Sequence, residues 1–187
     1  MARWIRYFAY GSNMHPARLR ERTPSCRRVG VASLAGYTLR FNQRSTGDGS
    51  AKCNIETSPG ERVLGVVFDL LAVERPSLDR AEDLGRGYLL QELEVLVDGS
   101  REPVSCYVAA PGAVSEGIRP FRWYRDIVLH GARQHRFPEQ YLARIAATPV
   151  IEDPDRTRNS RHLQLLTVDE PLPAAVTGNQ WPGRQPF

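Results

Sequence analysis

Two periodicities divide this chain, and their order limits the folds open to it. From residue 3 to about residue 109, short β-like runs alternate with turn residues. From Pro120 onward, apolar positions recur at helical spacing, in Phe121, Tyr124, Ile127, Val128, Gly131 and Ala132. Strands come first and helices after. That order predicts an α+β fold and excludes a doubly wound parallel sheet, in which the two would alternate.

The individual runs are readable. Residues 3 to 9 form an aromatic strand that ends at Tyr10-Gly11-Ser12-Asn13. Ser12 or Asn13 is placed to cap a helix over 14–21, with Pro16 in its first turn. Strands are expected at 36–42, 51–57 and 62–71, with a turn at Pro59-Gly60. A short helix over 73–82 leads into Gly85-Arg86-Gly87, and a hairpin follows, with arms at 88–98 and 104–109 and a turn at Asp98-Gly99. A second late helix begins at Pro138 and ends at Pro149. The domain is expected to span 1–150. Residues 151–187 form a C-terminal extension, partly ordered or docked through Leu165, Leu166 and Trp181.

Composition narrows the function classes. The chain has 187 residues, 41% hydrophobic and 25% charged, which suits one globular domain. No apolar run nears the roughly 20 residues a bilayer requires, and Trp4–Tyr10, broken by Arg6, is too short for a signal h-region. No membrane association is expected, and the expected compartment is the cytoplasm. The formal charge is +4, and of 25 lysine and arginine residues only Lys52 is a lysine. The arginines are spread among acidic residues, unlike a nucleic-acid-binding stripe. They read first as a solvated surface, the knot Arg18-x-Arg20-x-Arg22 included, and next as a means of attracting an acidic small-molecule substrate. No nucleic-acid partner is expected. Cys26, Cys53 and Cys106 include no CxxC pair, and His130 and His135 stand five apart. Neither set has metal-ligand spacing, so no metal is expected.

Three features remain as candidates for chemistry. At Tyr10–Met14, Gly11 permits a tight turn, and the N–H groups at a helix start favour an anion or developing oxyanion. The same residues also read as a plain capped helix. In Leu78-Asp79-Arg80-Ala81-Glu82-Asp83, Glu82 falls four residues after Leu78, on or beside the apolar face. Partly desolvated there, it suits proton transfer; at a solvated helix end it does nothing. Asp79 and Asp83 read as surface or capping residues. Tyr88 and Tyr124 are core aromatics or pocket walls. Ser12 has no G-x-S-x-G elbow around it, and no P-loop or Rossmann glycine pattern occurs.

Taken together, these stretches resemble the γ-glutamylcyclotransferase-like (AIG2-like) family. The resemblance rests on Tyr7-Phe8-Ala9-Tyr10-Gly11-Ser12-Asn13-Met14-x-x-x-Arg18-Leu19, on Gly65–Leu70, on Leu78-Asp79-x-x-Glu82 with Gly87-Tyr88, and on Tyr124 through Arg133 with Pro138-x-x-Tyr141-Leu142. It implies a small mixed β-barrel flanked by helices. It also implies a γ-glutamyl substrate whose own α-amine attacks its γ-carbonyl, releasing 5-oxoproline and an amine without any cofactor. Glu82 matches the family's catalytic acid/base. Tyr10, Gly11, Ser12, Asn13 and Met14, with Tyr88 and Tyr124, would bind substrate, the tyrosines by their hydroxyls. The family pattern places Gly after that glutamate, where this chain has Asp83. The alternative is a non-catalytic binding protein on the same fold. The resemblance leaves open a monomer or a homodimer, and no arginine has a required role in it.

Overall fold

The computed structural model describes residues 2–167. Five strands close into one barrel: β1 (Trp4–Ala9), β2 (Arg27–Arg44), β3 (Ala51–Leu71), β4 (Tyr88–Val97) and β5 (Ser100–Ala109). Around the barrel the order is β1-β3-β2-β4-β5. Every pairing is antiparallel except the seam, where β1 meets β5 in parallel at Tyr7 and Ser105. The barrel is therefore mixed, and the fold is α+β.

Successive side chains of a strand point to opposite faces. Val66, Val67 and Phe68 in β3 are all 0% exposed, so both faces of the strand are covered. One lines the barrel and the other meets helices. This explains the unbroken apolar run, because a half-exposed strand would alternate. Tyr7, Phe8 and Ala9 of β1 are buried on both faces in the same way. The covering helix is α3 (Arg122–Gln134), whose Trp123, Ile127, Val128 and Ala132 face the core. Helix α4 (Glu139–Ala146) adds Leu142 and Ile145.

Several expectations need correction. The strand expected at 36–42 begins at Arg27 and runs to Arg44. The strands expected at 51–57 and 62–71 are one strand, β3. Pro59-Gly60 does not end it. The register jumps there from Ala35 opposite Arg62 to Tyr37 opposite Thr57, with Gly36 and Gly60 at φ +78° and +86°. The turn residues form an irregularity within a long twisted ribbon, where a strand tolerates Pro. The helix expected over 14–21 splits into a 3-10 turn, Ser12–Met14, and α1 (Pro16–Arg20). Pro16 sets the start at its preferred first position, and neither Ser12 nor Asn13 caps α1. Helix α2 covers Arg75–Ala81 and leaves Glu82 at its C-cap.

Past residue 150 the chain stays against α3 and the segment that leads into it. Arg122 N donates to Ile151 O, and Ile151 N donates to Pro120 O, both at 3.0 Å. Asp153 is buried and accepts from Trp123 Nε1 at 2.8 Å and from Arg158 at 2.6 and 2.7 Å. Helix α5 (Arg156–Gln164) follows, capped by the Asp155 side chain on Arg158 N. Leu165 and Leu166 pack against the core, while Trp181 lies outside the described residues.

Candidate functional site

The 3-10 turn at Ser12–Met14 sits where β1 leaves the barrel, and α3 holds it from outside. Gly131 lies against it so closely that a Cβ there would meet His15 N at 2.8 Å and the Met14 carbonyl carbon at 3.0 Å. His135 Nε2 approaches Met14 O at 2.9 Å. The turn's helical hydrogen bonding begins with Met14 N donating to Gly11 O. The N–H groups of Ser12 and Asn13 precede that bond, as first-turn donors do.

Glu82 meets this turn from the end of α2. Its Oε1 accepts from Asn13 Nδ2 at 2.9 Å and from Arg22 Nη1 at 2.7 Å. Its Oε2 accepts no hydrogen bond among the described residues. The Glu82 side chain is 15% exposed and that of Arg22 18%. Arg22 Nη1 also donates to Asn13 Oδ1 at 2.6 Å, and Asn13 Nδ2 donates to Tyr7 Oη at 2.8 Å. The two side chains read from sequence as helix caps are thus spent here. Asn13 fixes the glutamate, and Ser12 Oγ accepts from Arg18 Nε at 3.1 Å.

Two connected hollows share Glu82, Ser12, Tyr88 and Tyr124 as walls. The inner recess is narrow and reaches Tyr7, Tyr10, Gly11, Asn13, Cys53 and Tyr107. The outer cavity holds about 370 Å³ and carries Arg18, Arg22, Lys52, Arg80 and Arg86 in its wall. Of the expected substrate-binding residues, six line these hollows: Tyr10, Gly11, Ser12, Asn13, Tyr88 and Tyr124. Met14 does not, being 0% exposed beneath the turn and against α3.

The tyrosine hydroxyls have structural duties. Tyr88 Oη donates to Cys53 O at 2.6 Å, and Tyr10 Oη donates to Tyr107 O at 2.6 Å. Tyr124 Oη accepts from Cys53 N at 3.0 Å, a bond that does not use its own proton. Burial pushes Tyr7, Tyr10, Tyr88 and Tyr124 well above the ordinary phenol range, so all four stay protonated. Burial likewise pushes the Cys53 thiol up to about 12, which rules it out as a nucleophile at neutral pH.

Asp83 takes the left-handed conformation, φ +50°, just past the helix. Glycine favours that position, and Asp tolerates it. Its carboxylate turns away from Glu82, accepting from Thr46 Oγ1 at 2.7 Å and Arg86 Nε at 2.9 Å. The Thr46 hydrogen bond is the leading reason its acid is stronger than usual.

The sequence reading placed the arginines on the surface. Arg18 and Arg22 are instead part of the cavity wall. They are four residues apart, on α1 and the turn after it, and so project to one side. Arg18 is 9% exposed, and burial, with Arg22 second, lowers its guanidinium to about 10, still charged at neutral pH. Tyr7, Cys53 and Tyr107 were read only as strand residues, and their position at one end of the barrel brings them into the recess.

A family model for gamma-glutamyl cyclotransferase, AIG2-like, matches residues 7–125. Human gamma-glutamylcyclotransferase is 32% identical over 164 residues, covering 81% of this chain and 80% of the human protein. The mouse gamma-glutamylcyclotransferase is 29% identical over 153 residues, with 75% and 77% covered. Among solved structures, one described as a gamma-glutamyl cyclotransferase superposes with a TM-score of 0.76 at 24% identity, over 87% of this chain and 99% of that one.

Proposed function

Because the chain belongs to the gamma-glutamyl cyclotransferase, AIG2-like family, we propose that it cleaves γ-glutamyl amides by cyclisation, with Glu82 moving the protons. The glutamyl half lies over the Gly11–Asn13 turn in the inner recess, and the amine half extends into the outer cavity. The scissile carbonyl is then at the junction, beside Glu82.

The reaction needs no external nucleophile. The substrate's α-amine closes on its own γ-carbonyl, so the reactants are already tethered and the protein need only fold the chain into a ring-closing conformation. An ammonium cannot attack. Glu82 Oε2 takes its proton while Arg22 and Asn13 hold Oε1. As the tetrahedral intermediate collapses, the C–N bond of the amide breaks, the same carboxyl passes its proton to the departing nitrogen, and the ring nitrogen gives up its second proton, so that the amine leaves as an ammonium. The products are 5-oxoproline and a free amine. The N–H groups of Ser12 and Asn13 are the candidate donors to the oxyanion, where one donor is worth about 3 kcal/mol in well-studied enzymes. Tyr124, neutral and with its proton uncommitted to Cys53 N, is a further donor at the same wall.

The observation that carries this reading is the Glu82 carboxylate itself. Two donors fix one oxygen in a half-buried ion pair, and the other oxygen is left for substrate. The test is to incubate the protein with a panel of γ-glutamyl amides and measure 5-oxoproline. Glu82→Gln keeps the shape and removes the base, so product formation should cease. A variant as active as the parent would falsify the role of Glu82.

A further inference from the structure

The outer cavity is wider and more cationic than the proposed reaction requires. Five cationic side chains and two carboxylates face it. Three of the cations have acids of their own. Arg22 pairs with Glu82 at 2.7 Å, Arg86 with Asp83 at 2.8 Å, and Lys52 with Asp48 at 2.8 Å. Arg18 and Arg80 have no carboxylate partner among the described residues.

Arg18 is the informative one. A guanidinium taken from water is costly unless paired, and Arg18 is 9% exposed. Its Nε is committed to Ser12 Oγ, and its Nη1 lies 3.4 Å from His162 Nδ1. Its Nη2 has no partner among the described residues. His162 is stacked on Trp123 at 3.8 Å, which holds the ring as a wall beside the arginine. The guanidinium is therefore clamped on two sides with an edge left over. Planar, fixed arginines of this kind suit carboxylates. Arg80, exposed near the end of α2, supplies a second cation at the cavity rim two residues before Glu82.

Resting on the cyclotransferase reading above, we propose that this cavity selects γ-glutamyl peptides whose released amino acid is itself acidic. Arg18 takes the α-carboxylate of the departing residue, and Arg80 takes its side-chain carboxylate. A neutral amine or a residue without the second charge leaves Arg80 unused. An uncharged amine leaves both unused and strands the positive charge of Arg18 beneath it.

The experiment compares three substrates at low salt: γ-glutamyl-L-glutamate, its near-isostere γ-glutamyl-L-glutamine, and γ-glutamyl-n-butylamine. Hydrogen bonds to charged groups are worth enough to give roughly a ten- to hundredfold preference. The parent should therefore favour the glutamate over the glutamine peptide by about tenfold in kcat/KM, and both over the butylamide. Arg80→Gln should collapse the glutamate-to-glutamine ratio. Arg18→Gln should collapse the ratio of the peptides to the butylamide. Equal kcat/KM for the glutamate and glutamine peptides in the parent overturns the proposal, as does an Arg18→Gln loss equal across all three substrates. Calorimetric binding to Glu82→Gln separates the two readings. If no substrate is turned over but the glutamate peptide still binds about tenfold tighter, cyclisation is wrong and the acidic subsite stands. Turnover without that preference means the reverse.

Discussion

Replacing Gly131 with alanine should damage the reaction far more than it damages the fold. Gly131 is in the interior of α3, away from both hollows. A methyl group there meets His15 N at 2.8 Å and the Met14 carbonyl carbon at 3.0 Å. Carbon contacts relax at about 3.5–4.0 Å, so the helix and the turn must part by roughly 0.7 Å. The obstacle is backbone and cannot rotate aside. Overpacking of this sort costs about 1–3 kcal/mol. Exchanging Gly for Ala in a helix interior returns about 1 kcal/mol. The net loss is then about 0–2 kcal/mol, or at most about 8 °C in Tm for a chain of this size. The turn that moves carries Ser12 and Asn13, and Asn13 fixes Glu82. Displacements near 1 Å at a reacting centre cost about a hundredfold, so kcat should fall by about ten- to a hundredfold while the protein stays folded. Thermal unfolding and 5-oxoproline kinetics on the same preparation measure both. Parent-like kcat in Gly131→Ala would show that the placement of the turn by α3 is irrelevant to turnover.

Other outcomes follow from the same geometry. Gly11→Ala places its Cβ 3.0 Å from Cys53 Cβ and 3.4 Å from Tyr124 Oη. With φ at −117° Gly11 lies outside the left-handed region, and the loss expected from these contacts is about tenfold in kcat/KM with about 1 kcal/mol in stability, read by kinetics and urea unfolding. Asp83→Ala should destabilise by about 1–2 kcal/mol, because it keeps the left-handed backbone without the hydrogen bonds. Asp83→Gly should stay within about 1 kcal/mol of the parent, since backbone relief offsets those bonds; urea denaturation distinguishes the pair. Acid should loosen the α5 docking in two stages. Burial and neighbouring Arg18 lower His162 to about 4, so its neutral ring favours the folded state above the unfolded value of about 6.5, and this advantage is lost as pH falls towards 4. The hydrogen bonds from Arg158 hold Asp153 at about 2, a contribution of about 2 kcal/mol that is present above pH 4 and lost between about 4 and 2. Asp153→Asn should remove the second stage from a pH-dependent unfolding series; its persistence would sink the assignment.

The parts of the fold that were legible in the sequence are those with local signals. The hairpin β4–β5 announced itself through Asp98-Gly99, which take φ +47° and +85° as its turn requires. Helices α3 and α4 showed in their spacing and in Pro138. The start of β2 did not show, because Gly30 and Ala32, which carry weak strand preference, interrupt the run of Val29 and Val31. β3 read as two strands because Pro59-Gly60 is a turn signal that long-range pairing overrides. At the candidate site, the turn and Glu82 were singled out through motif order. Their hydrogen bonds were not, since Asn13 and Glu82 are distant in sequence. Arg22 was missed for the same reason, although its spacing from Arg18 was visible. Tyr88 and Tyr124 were placed at the pocket, but the barrel requires their oxygens to secure the backbone of Cys53.

The single parallel seam has a consequence for how the protein is made. β1 leaves the ribosome before the other four barrel strands, yet its partners are β3 and β5, reached at Phe68 and Ser105. At the usual 5–20 residues per second, Tyr7 waits roughly 5–20 seconds for the seam to become possible. Throughout that interval the aromatic strand Trp4–Ala9 and the turn behind it have no barrel to enter. A nascent chain stopped before β5 carries Glu82, Arg22 and Asn13 but no closed wall around them. The proposed site is therefore completed late in synthesis, and β1 is the barrel strand most in need of protection until then.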